Sequence, residues 1–267
     1  MTRIHSLSVR QPAVAGLFYP ADACRLSQDI QRLLKGAEQY ALTPKALIVP
    51  HAGYVYSGAI AATAYRTLLT VAESVKRVVL LGPAHRVLIH GLTLPDVEYF
   101  DTPLGVVQVD VEAARAVSDL PQVIANFDAH VFEHSLEVQL PFLQQVLASF
   151  KVLPLVVGTA SAEEVDEVLD RVWGDDETLI VVSSDLSHYL PYIVAQQVDN
   201  ATVQSILQLR QPIAHDRACG GTPVNGLIVA ARKHQLKPCL LDLRNSGDTA
   251  GSRDQVVGYA AIAFCQN

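Results

Sequence analysis

Uninterrupted apolar runs that end in glycine, proline or polar residues recur along the chain and predict the strands of a sheet. They are ALIVP, RVVLLGP, FKVLPLVVG, TLIVVSSD, PCLLDL and VVGYAAIAF. Continuous apolarity of this kind is typical of strands that are covered on both faces. Between them, helical spacing places Leu26, Ile30 and Leu34 on one face of a helix that closes at Gly36. The pattern predicts an α/β fold, a three-layer α/β/α sandwich with a largely parallel or mixed sheet.

Local signals predict where two helices begin and where one antiparallel pair lies. Ser57 is expected to cap the helix SGAIAATAYRTL, and Ser161 to cap the acid-rich helix SAEEVDEVLDRVWG. The segment GLTLPDVEYFDTPLGVVQVD has two short strand-like pieces around a Thr-Pro-Leu-Gly turn, which predicts an antiparallel excursion from the main sheet. The sequence shows no repeat, low-complexity tract or linker, so residues 1–267 are expected to form a single domain.

Composition narrows the classes of function. The 267 residues are 50% apolar, which suffices for a substantial core. Twenty basic against 27 acidic side chains give a formal charge of −7 without a long basic run, so nucleic acid is not an expected partner. The four cysteines are far apart and form no CxxC pair, which predicts reduced thiols. Because no stretch resembles a signal peptide or reaches about 18 apolar residues, we expect a soluble, cytoplasmic protein with no membrane partner.

Polar residues follow the ends of several predicted strands. His51 follows ALIVP, His85 follows VVLLGPA, and Asp185 and His188 follow LIVVSSD. A fourth strand end, in LLDLRNSGD, adds Asp248. If these strands are parallel, their carboxyl ends share one edge of the sheet, which is where open α/β folds build their sites. The side chains are therefore expected to converge.

The segment DAHVFEHSLEVQLPFLQQVL adds a second group of polar residues. Glu133, His134 and Glu137 crowd the start of a helix whose leucines form the buried face, so packing does not account for them. Acidic residues at a helix start also suit the helix dipole. His130 and His134 would face one site if the helix begins early enough, and His134 is assigned either to the site or to structure.

The motifs GLFYPAD, PHAGYVYSG, LLGPAHR, TPLG, EHSLEVQLPFL, SSDLSHY, NSGD and VVGYAA together resemble the Memo family, whose bacterial and archaeal members are called AmmeMemoRadiSam system protein B. The match runs from about residue 10 to the end of the chain. That family is similar in fold to the class III extradiol dioxygenases of the LigB type, which hold non-heme iron(II) with two histidines and a carboxylate. The resemblance implies a LigB-like fold and a metal-dependent oxidoreductase of unknown substrate.

The resemblance also implies roles for individual residues. His51 and His85 match the family's metal-binding histidines, whereas Asp185 and His188 match other pocket residues and are expected to orient groups and move protons. His134, which the resemblance does not assign, is a further candidate for that catalytic role from its position in the polar segment. Iron(II) is the favoured metal, with copper and zinc as the other candidates.

The third metal ligand is a point of departure from the family pattern. Animal members offer a cysteine in the C-terminal loop, where this chain has Thr249 with Asp248 beside it. Asp248 and Thr249 are therefore both candidates to complete the site, and Asp248 has the alternative role of holding the turn.

Two other classes of function stay open. Zinc would accept the same ligands and activate water for hydrolysis, and a non-catalytic adaptor would use the cleft to bind a metal or a phosphopeptide. An anion-binding site would require arginine side chains near the cleft. Arg86, Arg244 and Arg253 are candidates for this role, with ordinary surface residues as the alternative interpretation. A serine hydrolase is disfavoured because no GxSxG turn is present. The family name also records a genomic association with a radical-SAM protein and an AMMECR-type protein, which implies a shared pathway acting on a small molecule or peptide.

Overall fold

A large mixed sheet organises the computed structural model, which describes residues 8–266. The strands are β1 (Val9–Arg10), β2 (Pro44–Val49), β3 (Arg77–Pro83), β4 (Leu92–Leu94), β5 (Tyr99–Phe100), β6 (Val107–Gln108), β7 (Val123–Ala125), β8 (Lys151–Val157), β9 (Thr178–Ser183), β10 (His188–Leu190), β11 (Lys237–Asn245) and β12 (Val256–Cys265). The helices are α1 (Ala23–Gly36), α2 (Tyr54–Arg66), α3 (Val111–Val117), α4 (Phe127–Val131), α5 (Leu140–Val146), α6 (Ala162–Arg171), α7 (Tyr192–Leu207) and α8 (Gly221–Lys233).

The main sheet has the strand order β10-β12-β2-β9-β3-β8-β4-β7, with β11 also paired to β12. Its centre, β2, β9, β3 and β8, is parallel, whereas β12 is antiparallel to β2 and β4 is antiparallel to β8. All six apolar runs form strands of this sheet. The predicted antiparallel excursion is confirmed for β5 and β6, which pair with each other, and β5 also pairs with β1 in a separate three-stranded sheet.

Helices cover both faces of the main sheet. One apolar core contains side chains from α1, α2 and α5, including Leu26, Ile60 and Phe142. The core on the other face contains side chains from α6, α7 and α8, including Val165 and Leu227. Both faces of the central strands are therefore buried, which explains their uninterrupted apolarity. The predicted three-layer α/β/α sandwich is confirmed.

The two predicted helix caps have different outcomes. Ser161 caps α6 in a reciprocal capping box with Glu164, as predicted. The prediction for Ser57 is wrong: α2 begins at Tyr54, and the Ser57 hydroxyl donates a hydrogen bond to the carbonyl of Ala52 from inside the helix. The earlier start is stabilised by tertiary contacts, because the Tyr54 amide donates to Phe18 O and its hydroxyl donates to Val138 O.

The segment from residue 127 to residue 146 is not one helix. α4 ends at Val131, a short 3-10 turn covers Glu137–Gln139, and α5 follows it. His134 therefore lies in a connection between two helices, and the suggested one-turn spacing from His130 does not occur. The ring of His130 instead lies beside Thr93, with its Nε2 atom 2.9 Å from Thr93 O.

Strand direction brings the predicted polar loops to one edge of the sheet. β2, β3 and β9 are parallel, so the loops that follow Val49, Pro83 and Ser183 leave from the same edge. β11 runs in the same direction as β2 because both are antiparallel to β12. Within residues 8–266, no helix combines the length and the apolarity that a membrane span requires.

Candidate metal centre

Three histidines from three separate loops meet at this edge of the sheet. His51, His85 and His134 each offer a ligand nitrogen, and these atoms all lie within 4.8 Å of one another. The ring centroids are 5.2 Å apart for His51 and His85, 5.5 Å for His51 and His134, and 4.7 Å for His85 and His134. Among the described residues, this is the one cluster of histidine, cysteine and acidic side chains with the spacing of a metal site.

The hydrogen bonds of Ser183 determine the tautomer of His51. The Ser183 hydroxyl has one proton, which it donates to Ser135 O at 2.6 Å, and it accepts from the side-chain amide of Gln139. His51 Nδ1, 2.9 Å from the same hydroxyl, must therefore be the donor in their contact. Burial, followed by the charges of His85 and His134, lowers the pKa of His51 well below its usual range. The ring is neutral, and the lone pair of Nε2 is available to a metal.

The carboxylate of Glu133 fixes which ring nitrogen of His85 donates a hydrogen bond. Its carboxylate lies 2.9 Å from His85 Nδ1 and accepts the backbone N–H groups of His85 and Ser135. Burial opposes ionisation of this carboxyl group, but the hydrogen bonds from His85 and Ser135 prevail and lower the pKa of Glu133 to about 2. Because an ionised carboxylate only accepts, Nδ1 is the donor, which leaves Nε2 as the nitrogen that could bind a metal.

His134 is the third histidine of the cluster. Its ring stacks on His85 with an interplanar angle of 25° and meets the edge of Phe18 at 4.9 Å. Burial lowers the pKa of His134 to about 4, so this ring is also neutral near pH 7. Its Nδ1 atom is buried and makes no hydrogen bond among the described residues, although Glu133 Oε1 lies 3.4 Å away. A buried nitrogen without a hydrogen bond in a histidine cluster fits a site that takes a ligand.

The contact between Glu133 and His85 leads to a testable prediction. We expect Glu133→Gln to weaken metal binding by about 10- to 100-fold, because the amide no longer fixes the tautomer and orientation of the His85 ring. The measurement is a competitive metal titration against a chromophoric chelator. Glu163→Gln, at an exposed position on α6, is the matched control. Equal affinities of the two variants would contradict the role of Glu133.

A cysteine that the sequence analysis treated as an ordinary reduced thiol lies beside the cluster. Cys219 Sγ is 3.2 Å from His51 Nε2, at the start of the turn that leads into α8. Burial, followed by the charge of Asp185, raises the pKa of Cys219 to about 12. The adjacent Gly220 packs so closely that a Cβ atom there would lie 2.6 Å from Ser184 Cβ. A sulfur donor therefore lies next to the imidazole that the structure prepares for a metal.

Asp185 and His188 both lie at the centre, but they do not bond to each other. The Asp185 carboxylate accepts the backbone N–H of His51 at 2.8 Å, and its second oxygen is 4.0 Å from His51 Nε2. Burial raises the pKa of Asp185 to about 7. His188 Nδ1 lies 2.9 Å from Leu186 O and must donate to it, which leaves Nε2 as an acceptor. Asp185 thus holds the backbone of the His51 loop. The ring of His188 is oriented by the backbone carbonyl of Leu186 rather than by Asp185.

The two C-terminal candidates for the third ligand have other partners. Asp248 accepts the backbone N–H of Asn245 and the hydroxyl of Tyr192, in a capping box around a 3-10 turn. The Thr249 hydroxyl donates to Ser246 O. Within residues 8–266, neither belongs to the histidine cluster. The geometry matches the turn-holding role for Asp248, and the sulfur beside the histidines comes from Cys219.

Two of the three arginines considered for anion binding already have partners. Arg244 pairs with Asp242 at 2.5 Å, and the Arg253 guanidinium lies 4.5 Å from the centroid of the Tyr192 ring. These contacts are those of ordinary surface arginines.

Sequence reasoning missed Cys219, Ser183 and the role of Glu133. Ser183 is the last residue of β9 and Cys219 lies 168 residues from His51, so no local spacing connects them. The available signal for Cys219 was the pair of glycines that follows it at a helix start. Glu133 was noticed as a polar residue that packing did not explain, but its contact with His85 depends on the tertiary fold.

Comparison with known proteins identifies the family. The model of the Memo-like protein family matches residues 10–263. The MEMO1 family protein of Aquifex aeolicus is 37% identical over 97% of this chain and 100% of its own length. Those of Sulfolobus acidocaldarius and Methanosarcina barkeri are 33% and 35% identical over 96% and 95% of this chain, and each is matched over 99% of its own length. The match spans the loops that carry all three clustered histidines, and the chain belongs to the Memo-like protein family.

Proposed function

We propose that this protein binds one divalent metal ion at His51, His85 and His134 and uses it to oxidise a small organic substrate. The observation that carries the proposal is the approach of three imidazole nitrogens to within 4.8 Å, two of them with the tautomer that exposes Nε2. Neutral imidazoles suit iron, copper and zinc, and iron(II) is the favoured metal.

The residues present fit such an ion. Ser183 and Glu133 hold the two Nδ1–H groups, so each ring would bind a metal through Nε2, and the neutral His51 ring would lose no proton. Cys219 lies close enough to His51 for its sulfur to join the set once its proton is lost. When bound in such a partial set, iron(II) supplies open coordination positions and redox chemistry.

His188 is the proposed proton acceptor. It lines the same cavity as His85 and Cys219, and its Nε2 is a lone-pair acceptor because Nδ1 donates to Leu186 O. Burial lowers the pKa of His188, so the ring is neutral and able to take a proton from a substrate hydroxyl group. Asp185, which bonds to the backbone of His51, is a positioning residue.

A zinc-dependent hydrolase is the second candidate, favoured by the thiol of Cys219, since nitrogen and sulfur donors together suit zinc. A non-catalytic metal-binding or adaptor protein would keep the same cluster without turnover. The three proposals differ in metal preference and in whether dioxygen is consumed.

The experiment is anaerobic purification, reconstitution with iron(II), zinc or copper, and measurement of oxygen uptake with a panel of catechol-like substrates. We expect iron-dependent uptake, and we expect His188→Ala to lower its rate roughly 100-fold or more while metal content is retained. Hydrolysis by the zinc form without oxygen uptake by the iron form would favour the hydrolase. Stoichiometric metal binding with neither activity would overturn the enzymatic proposal in favour of a binding protein.

A further inference from the structure

A cavity of about 670 Å³ lies beside the histidine cluster. It is lined on the metal-centre side by His85, His188 and Cys219, and also by the exposed loop His215–Asp216–Arg217. This volume falls in the range of sites that hold small organic ligands. A molecule within it would reach both the candidate metal centre and the loop 215–217.

One wall of the cavity is apolar where a surface helix would ordinarily be polar. α7 buries Ala195, Val203 and Ile206 against the sheet, as its packing requires. Val194 and Val198, one helical turn apart, line the cavity instead, and Val194 is 43% exposed. Core packing does not explain this second apolar surface on the same helix. An apolar ligand body would remove it from water.

The exposed loop of the cavity presents an arginine that no hydrogen bond or ion pair engages among the described residues. Within residues 8–266, the Arg217 guanidinium makes no hydrogen bond or ion pair, although Asp216 is its chain neighbour and lines the same cavity. Its charge also acts at longer range on the buried carboxyl group of Asp199 on α7. Guanidinium groups bind carboxylates through two parallel hydrogen bonds. Asp216 lowers the positive potential here, so its removal should favour an anion.

From this arrangement we propose that the substrate is a small organic carboxylate with an apolar body. Its carboxylate pairs with Arg217, its body lies against Val194 and Val198, and its other end reaches His85 and His188. This assignment rests on the proposed function for the position of the reacting end. The carboxylate and apolar contacts involve residues outside the metal cluster and are tested separately.

The test uses three matched probes, phenylpropionate, phenylpropanol and propionate, titrated calorimetrically into zinc-loaded protein. The zinc form avoids oxygen chemistry. We expect phenylpropionate to bind about tenfold more tightly than either the uncharged alcohol or the short acid, because only it satisfies both ends. Metal content is measured on the same samples.

Single substitutions test the contributions of Arg217, Asp216 and Val194 to binding separately. We expect Arg217→Ala to weaken phenylpropionate binding by about tenfold, Asp216→Asn to tighten it by about twofold to fivefold, and Val194→Ser to weaken it. Arg115→Ala, at an exposed position on α3, is the matched control, and all four variants should retain the wild-type metal content.

The outcomes distinguish this inference from the proposed function. If metal loads normally but phenylpropionate binds no more tightly than phenylpropanol, or Arg217→Ala has no effect, the carboxylate assignment is overturned and the metal proposal stands. Failure of all three probes to bind at millimolar concentration overturns it equally. If phenylpropionate binds with the expected dependence on Arg217 in protein that takes up no metal, the carboxylate site stands and the proposed function fails.

Discussion

Replacing both His51 and His85 with alanine is expected to abolish metal binding, from about one equivalent per chain to less than about a tenth. The expectation follows from the two tautomers, since each ring has its Nδ1–H bonded to protein and its Nε2 directed to the shared site. Of the three histidines only His134 would be left, and a single imidazole holds a divalent ion weakly. The measurement is elemental analysis of protein reconstituted without oxygen and passed through a desalting column.

The control for this experiment is His90→Ala, which removes an exposed histidine outside the cluster. It should leave metal content unchanged. Circular dichroism verifies that the double variant is folded, which we expect because both histidines lie in loops that follow strands. Equal metal content in the double variant and the wild type would eliminate this site.

The largest expected effect on stability is that of Glu137→Ala, at about 3–5 kcal/mol of unfolding free energy. Glu137 is fully buried and pairs with the equally buried Arg10. Its carboxylate also accepts the hydroxyl of Tyr19 and the backbone N–H groups of Ala13 and Val14. Removing it leaves a buried guanidinium without its counter-charge and two backbone donors without an acceptor.

Urea unfolding measures this loss, with Asp29→Ala as the control. Asp29 pairs with Arg32, whose side chain is 77% exposed, so breaking that pair should cost less than about 1 kcal/mol. The double variant Arg10→Met, Glu137→Met should be more stable than Glu137→Ala, because it removes both charges together. A loss below about 1 kcal/mol for Glu137→Ala would show that Arg10 finds another partner.

The buried pair also connects the N-terminal segment to the metal centre. Arg10 donates to His130 O at 3.1 Å and to Glu133 O at 2.6 Å. Glu133 in turn holds His85. Loss of Glu137 should therefore weaken metal binding in addition to stability, whereas Asp29→Ala should change neither.

The central strands could be predicted from the sequence because their environment is uniform. Helices cover both faces of β2, β3, β8 and β9, so nearly every position in these strands must be apolar. An uninterrupted apolar run can therefore be recognised as a strand without knowing which segments pack against it. The cap of α6 could also be predicted from local sequence, since Ser161 and Glu164 are three residues apart. The start of α2 could not be predicted from local sequence. The hydrogen bonds of Tyr54 to Phe18 and Val138 make the helix begin before Ser57, the residue that local propensity favoured as its cap.

The sequence by itself determined the layered α/β fold and the loops that carry His51, His85, Asp185 and His188, because strand ends in a parallel sheet share an edge. Only the tertiary structure decided which groups those histidines meet. Ser183 selects the His51 tautomer, Glu133 selects that of His85, and Cys219 approaches from a separate turn. These contacts join residues 48 to 168 positions apart, and hydrogen-bond geometry at such separations depends on how the strands and helices pack, which no local periodicity encodes.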